Sequence, residues 1–481
     1  MVVWMSVSLI ASSHAALYKR DSRALVGWVG LIWLVPLGGA AFYLLFGINR
    51  IQRRAQALHS RRDRSVVASD CPNDCPNDCP NDPEGACDHR QYFDHSGSPH
   101  LRRLAKLVSR VVGRPLLTGN RIVPLHNGDE TYPAMVEAID SACHSVSLLT
   151  FIFDGDHAGK LILAALRRAV ERGVEVRLLI DDIGARYSWP TAVRKARREG
   201  IPVAKFLPVL VPWLFHYSNL RNHRKILVVD GKIGFTGGLN IREEHCLERN
   251  SRSPIRDIHF RVTGPVVEHM QVAFVRDWFL ATGEELDGDA WFPALQSDGD
   301  VLARGIPDGP DDDLDKLRVV LLGAIASAQS SITIVTPYLL PDAALIASLN
   351  VAAIRGIDVR IIIPKRTNRA LVQWASTAQL WQLLEHGCRI WRSDGPFDHS
   401  KLMIVDEHWC LIGSTNWDPR SLRLNFEFNV EVYDVALAKQ LAQLAEQKRQ
   451  LAEECTLQQV DQRNLIVRLR DGFTRILTPY L

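Results

Sequence analysis

Two stretches of this chain repeat one another, and that duplication limits the folds open to it more than any other feature. His223-Arg224-Lys225-Ile226-Leu227-Val228-Val229-Asp230 and His399-Ser400-Lys401-Leu402-Met403-Ile404-Val405-Asp406 both read H-x-K-x4-D. Counted from each histidine, Lys stands at +2, Asp at +7, Gly237 or Gly413 at +14, and Asn240 or Asn416 at +17. The surrounding pattern repeats too. Residues 145–153 read as a strand, 160–172 as a helix and 174–180 as a strand, and the order returns at 331–338, 343–355 and 357–363. Arg172-Gly173-Val174-Glu175-Val176-Arg177 has its counterpart in Arg355-Gly356-Ile357-Asp358-Val359-Arg360. Strand–helix–strand units of this length belong to an α/β fold, and a doubled unit calls for paired chemistry.

The spacing has a mechanical meaning. In a strand, residues i and i+2 share a face, so each His and Lys should project together while the apolar run behind them anchors the strand in a core. Asp230-Gly231 supplies a turn that returns a second strand and brings Asn240 toward the same end. Each half then offers an imidazole, an ammonium and an amide, and neither offers a complete site. Facing each other across a pseudo-twofold, one imidazole can attack an electrophile while the other protonates the leaving group, without a metal. Two lysines and two asparagines form an anion cradle suited to the non-bridging oxygens of a phosphodiester. A lone histidine is more often a packed or capping residue and a lone lysine a solvated one; the register of two copies is what argues for function.

The rest of the chain points to a membrane. Residues 24–47 hold no charge over 24 positions, above the roughly 20 needed to cross a hydrocarbon core. Residues 1–17 form a second apolar stretch, shorter and interrupted by serines, which reads as a first span. A cleaved signal peptide is the competing reading, and it lacks the basic start, since no Lys or Arg precedes Lys19. The basic flank at Arg50, Arg53, Arg54, Arg61, Arg62 and Arg64 is denser than the loop at 19–23, which places both ends of the hairpin and the following domains in the cytoplasm. Five of the nine cysteines are scattered singly, as in a reducing compartment. The others lie in a CPND tract repeated three times at 71–82 and at Cys87; this reads as a Pro-rich linker, with a soft-metal site as the alternative. A net charge of +3 over 481 residues gives no case for nucleic acid. The organisation expected is a transmembrane hairpin at 1–48, a flank and linker at 49–97, and two domains at 98–295 and 296–481.

These motifs, with Asn222-His223-Arg224-Lys225, Phe235-Thr236-Gly237-Gly238-Leu239-Asn240-Ile241, Thr336-Pro337-Tyr338 and the run from Gly413 to Ser421 (GSTNWDPRS), resemble the phospholipase D superfamily, whose members carry two HKD motifs, and within it bacterial cardiolipin synthases. The resemblance runs through nearly the whole chain. It implies two tandem phospholipase D-like α/β domains related by a pseudo-twofold behind the hairpin. It also implies a catalytic set of His223, Lys225, Asp230, His399, Lys401 and Asp406, with Asn240 and Asn416 at the phosphate. Family members carry an acidic residue after each motif that orients the histidine, and Asp257 and Glu427 match those positions. By analogy His223 is the nucleophile and His399 the general acid and then base; the symmetry of the motifs leaves that assignment open. The implied reaction joins two phosphatidylglycerol molecules into cardiolipin with release of glycerol, with no cofactor or metal, at the inner membrane.

Three rivals stand beside this reading: a lipid hydrolase that releases phosphatidic acid or a transferase with another acceptor, a nuclease, and a silent membrane scaffold. The hairpin argues against the nuclease and the intact motifs against the scaffold. No phosphate loop is present, because residues 155–161 (GDHAGKL) are one residue short and lack Ser or Thr after the Lys. The run at 206–215 (FLPVLVPWLF) lines an acyl entrance or dips into the interface, with a buried strand and loop as the alternative. The amphipathic helix from Leu101 could lie on lipid or pack in a core, and 436–454 reads as a plain amphipathic helix. Acyl preference and oligomeric state are left open.

Overall fold

The computed structural model describes residues 2–19, 22–47, 90–95, 98–208, 220–249, 251–311, 313–476 and 478. The expected basic flank, the CPND tract and residues 209–215 of the apolar run, with Trp213 and Phe215, lie outside the described residues. The chain divides into two compact units.

The smaller unit contains the N-terminal helices. Val2–Tyr18 and Ser22–Leu34 pack side by side, with Ala11, Ala15, Ile32, Ala40 and Tyr43 buried between them and the turns that follow. Trp33 Nε1 donates to Ser12 Oγ at 3.1 Å, and His14 Nδ1 lies 2.8 Å from the Tyr43 hydroxyl. The hairpin is helical as expected, but its second arm is not one continuous helix. It stops at Leu34 and resumes as Gly38–Phe42 and a π-turn at Tyr43–Gly47, because Pro36 has no N–H to continue the ladder and Leu37 takes a φ of +62°. Among the described residues, no helix is long and apolar enough to cross a membrane, which corrects the unbroken span expected at 24–47.

The larger unit is built on one long sheet. Its first half supplies β1 (Leu117–His126), β2 (Ser145–Thr150), β3 (Glu175–Asp181), β4 (Val203–Phe206), β5 (Arg221–Asn222), β6 (Ile226–Val229), β7 (Ile233–Gly237), β8 (Ile255–Arg256) and β9 (Ile258–Thr263). The second supplies β10 (Val301–Asp308), β11 (Ser331–Val335), β12 (Asp358–Pro364), β13 (Arg389–Ser393), β14 (Phe397–Asp398), β15 (Leu402–Val405), β16 (Trp409–Gly413), β17 (Asn425–Tyr433) and β18 (Ala452–Cys455). The seam is the antiparallel pair β1 and β10. Outward from it the strands run β1, β9, β7, β6, β2, β3, β4 on one side and β10, β17, β16, β15, β11, β12, β13, β18 on the other. Apart from the added edge strand, the order is the same, which is the duplication expressed as a pseudo-twofold.

Helices cover both faces, so the central strands are buried on each side and read as apolar runs rather than alternating ones. Asn127–Ser141 and His157–Glu171 pack on one face of the first half, and Lys316–Ser327 and Ala343–Ile354 on one face of the second. Val267–Thr282 and Val435–Gln450 share the core that crosses the seam, with Phe274, Trp278, Phe426 and Phe428 inside it. The helix Leu101–Val112 buries Leu101, Leu104, Val108 and Val112 against Leu317–Ile325. Its apolar face is therefore core, which decides against the lipid-surface alternative. At the rejected phosphate loop, the Asp156 carboxylate caps its helix by accepting from Gly159 N at 3.0 Å, so an anion already sits where a phosphate would.

Candidate active site

Each motif strand is pinned at its start by the opposite half. β5 pairs in parallel with the head of β17, and His223 N donates to Phe426 O at 2.8 Å. In the same way β14 pairs with β8, and His399 N donates to Arg256 O at 2.7 Å. The residue following each acceptor is an acid. Glu427 Oε1 and Oε2 both lie 3.0 Å from His223 Nδ1, and Asp257 Oδ2 lies 2.8 Å from His399 Nδ1. Each acid follows one motif in the sequence and serves the histidine of the other. A carboxylate on Nδ1 favours the tautomer with the proton there, which leaves Nε2 with its lone pair.

The supports differ between the halves. Glu427 also accepts from Ser414 Oγ at 2.5 Å and Asn425 Nδ2 at 3.1 Å. Asp257 accepts from the backbone of Ile258 at 2.8 Å. Gly238, the counterpart of Ser414, leaves space for Asp257, since a Cβ there would lie 2.2 Å from Asp257 Oδ1.

The lysines do not sit on a strand face as the spacing suggested. Residues 223–225 form an irregular link between β5 and β6, and Lys225 Nζ folds back to His223 O at 2.6 Å. Lys401 Nζ likewise donates to His399 O and lies 2.9 Å from His399 Nδ1. Both ammonium groups are buried, and burial is the largest influence on each. It brings Lys225 down to about 7 and Lys401 to about 8. Burial, followed by the neighbouring lysines, holds both His223 and His399 well below the ordinary imidazole value. Burial raises Glu427 to about 7 and also raises Asp257. The site thus carries neutral imidazoles beside lysines whose charge is held against its solvation preference.

His223, His399, Asn240 and Asn416 line one cavity of about 440 Å³, together with Arg369 and Arg420. Asn240 Oδ1 accepts from Ile152 N at 3.2 Å, leaving its amide N–H groups to donate. Asn416 Oδ1 is buried with no hydrogen-bond partner among the described residues.

Asp230 and Asp406, expected in the catalytic set, are placed elsewhere. Each is at the far end of its motif strand, at a turn where Asp230 and Gly231, or Asp406 and Glu407, have positive φ. Asp230 accepts from the backbone N–H groups of Cys143, His144 and Ser145 at 2.7–2.9 Å. Asp406 accepts from those of Gln329, Ser330 and Ser331 at 2.7–2.9 Å and from His100 Nε2 at 3.0 Å. Four strand residues separate each from its lysine, about 16 Å of extended chain. Their place is in the fold, where they tie the start of β2 and of β11 to the motif hairpins.

The profile of the family described as "Cardiolipin synthase, PLD-like domain" matches residues 135–278 and 321–449, one segment around each motif. The chain belongs to this family. A cardiolipin synthase of Geobacillus kaustophilus (strain HTA426) is 32% identical, covering 100% of this chain and 93% of the relative. Cardiolipin synthase 2 of Staphylococcus epidermidis is 30% identical over 96% of this chain and 93% of the relative. Among solved structures, the phosphatidylserine synthase of Haemophilus influenzae Rd KW20 aligns with a TM-score of 0.63 over 79% of this chain and all of that one. At 16% identity, it shows the shared fold.

Several residues at the family site carried no role in the sequence reading. Arg420 lies in the GSTNWDPRS run, where the motif itself was a signal. Ser414 could have been found by aligning the repeats and asking why Gly238 has a hydroxyl counterpart. Arg369 follows a strand that carries no motif. His245 sits in an Arg-Glu-Glu-His run that looks solvated, yet it is buried, lines the cavity and has its ring centroid 6.4 Å from that of His399. Neither ring nitrogen has a partner among the described residues, and burial pushes it down to about 3.

Proposed function

We propose that this phospholipase D-type phosphatidyltransferase is a membrane-bound cardiolipin synthase that transfers a phosphatidyl group from one phosphatidylglycerol to another and releases glycerol. The observation that carries the reading is the reciprocal pair of histidines, each braced by the other half's carboxylate, at one cation-lined cavity. It is supported by relatives of that name along the whole chain.

In this mechanism His223 Nε2 attacks phosphorus and the bond to the headgroup glycerol breaks. The departing oxygen takes a proton from His399. Burial disfavours a proton on His399, and the negative charge of a bound phosphodiester opposes that effect, so the acid form is populated when substrate is present. A hydroxyl of a second phosphatidylglycerol then gives its proton to His399 and attacks phosphorus, His223 is released, and cardiolipin leaves. One phosphodiester is broken and one made. Lys225, Lys401, Asn240 and Asn416 hold the non-bridging oxygens, while Glu427 and Asp257 stabilise each imidazolium in turn. The firmer support of Glu427 favours His223 as the nucleophile, whose positive charge must persist through the intermediate. The helical hairpin holds domains 98–295 and 296–481 at the cytoplasmic face of the inner membrane, where lipid alcohols outnumber water at the intermediate.

Membranes carrying the protein, given labelled phosphatidylglycerol with EDTA present, should yield cardiolipin and glycerol in equal amounts. Phosphatidic acid as the main product would instead make the chain a hydrolase.

A further inference from the structure

The last helix, Leu465–Ile476, shows a surface that the catalytic site does not explain. Leu465, Ile466, Leu469, Phe473 and Ile476 are each between 52% and 75% exposed. At 3.6 residues per turn they fall within an arc of about 100°, so they form a single stripe. The opposite face carries Val467 half-buried and Asp471 and Thr474 buried, and the helix packs on Ala370–Thr377. Arg470 lies 4.2 Å from the centroid of the Trp374 ring, and Asp471 accepts from both Arg463 and Arg470. The helix is thus held to the body by its more polar side and shows its greasy side outward, the reverse of an ordinary surface helix. An apolar stripe of this kind marks an interaction surface.

Charge selects the partner. From residue 462 to the end, the sequence holds four arginines and one acid, and that acid is the buried, doubly paired Asp471. By helical geometry Arg468 and Arg475 flank the stripe on one side and Arg470 on the other. An apolar stripe edged only by guanidinium groups suits the headgroup boundary of an anionic bilayer. The supporting helix Ala370–Thr377 is preceded by Arg369 and carries Val372, and both line the catalytic cavity. The stripe is therefore one helix removed from the site.

We propose that Leu465–Ile476 lies in the plane of an anionic lipid surface, with its stripe among the acyl chains, and seats the catalytic cavity against the membrane that supplies its substrate. This rests on the lipid-transfer reading for its purpose, but its first test does not. The full chain is reconstituted into vesicles of phosphatidylglycerol and phosphatidylcholine containing a phosphatidylcholine with a diazirine on one acyl chain. After photolysis, adducts are mapped by mass spectrometry. Adducts on residues 465–476 are expected. Adducts confined to other parts of the chain overturn the proposal, and a second copy or another segment of the chain is then the partner of this face.

The second arm compares wild type with Leu469→Glu/Phe473→Glu for phosphatidyl transfer. The variant should lose about tenfold or more in vesicles, where two charges must enter the interface, and match wild type in detergent mixed micelles. Equal rates in vesicles, or equal losses in both media, overturn the proposal. If wild type itself transfers nothing, the functional reading fails while the adduct map still decides the helix.

Discussion

His223 and Glu427 are separated by 204 positions in the chain and by 3.0 Å between the imidazole Nδ1 and the carboxylate. Through His399 and Asp257 the same relation runs the other way across the seam. The two halves are therefore coupled, because each supplies the carboxylate that orients the other's histidine.

That coupling predicts that Glu427→Gln, which keeps size and removes charge, lowers kcat by about 10²–10⁴-fold with little loss of folded protein, because the amide no longer stabilises an imidazolium. Asp257→Asn should do the same to the other histidine. Steady-state rates with circular dichroism of the purified variants would check this, and wild-type turnover in either variant would show that the carboxylates are only packing.

Division of labour between the histidines shows in the covalent intermediate. With a phosphatidyl ester whose leaving group needs no proton, such as p-nitrophenol, His399→Ala should still accumulate a phosphatidyl adduct on His223, and His223→Ala should form none. Intact-mass measurement after acid quench reads this directly, and an adduct on His399 would reverse the two roles.

Asp230 and Asp406 lie in the motifs but accept backbone N–H groups far from the cavity. Asp230→Ala should cost about 1–2 kcal/mol of stability, since it removes the acceptor for three backbone donors that tie the start of β2 to the motif turn. The protein that remains folded should keep nearly its full kcat. Thermal denaturation together with active-site titration separates the two effects, and a lost kcat in fully folded protein would return Asp230 to the catalytic set.

The buried lysines predict the pH dependence. Lys225 at about 7 and Lys401 at about 8 are charged below those values and lose charge above them. Loss of the cations weakens capture of an anionic phosphodiester, so kcat/KM should fall as pH rises through about 7 to 8. Bound phosphate raises both values, so the fall in kcat should come at higher pH. The two profiles report the free and the loaded enzyme respectively, and coincident alkaline limbs would mean that the lysines do not meet the phosphate. In the linkage to stability, the unfolded lysines bind protons more tightly than the folded ones. Stability should therefore rise with pH between about 7 and 10.5, opposite in direction to kcat/KM.

Much of this was legible in the sequence. The strand–helix–strand units are signalled by local periodicity and stand within a few residues of where it puts them. The repeated register of His and Asn names side chains that do meet in one cavity, while each motif lysine folds back to the carbonyl of its histidine. What proved misleading was also local. Spacing alone put His and Lys on a strand, whereas the chain crosses there from one pairing partner to another and leaves three residues irregular. The apolar run at 24–47 contains Pro36, whose missing N–H interrupts a helix that hydropathy alone reads as continuous.

Sequence by itself determined the duplication, the α/β class and the paired register of His, Lys and Asn, because each of these is written in spacing along a single segment. Tertiary structure alone decided which acid lies against which histidine, that the motif aspartates accept backbone N–H groups at the far end of their strands, and that the last helix turns its apolar side outward. These depend on pairings such as β5 with β17 and β14 with β8, in which segments far apart in the chain become neighbours, and no local pattern records which distant backbone a strand will meet.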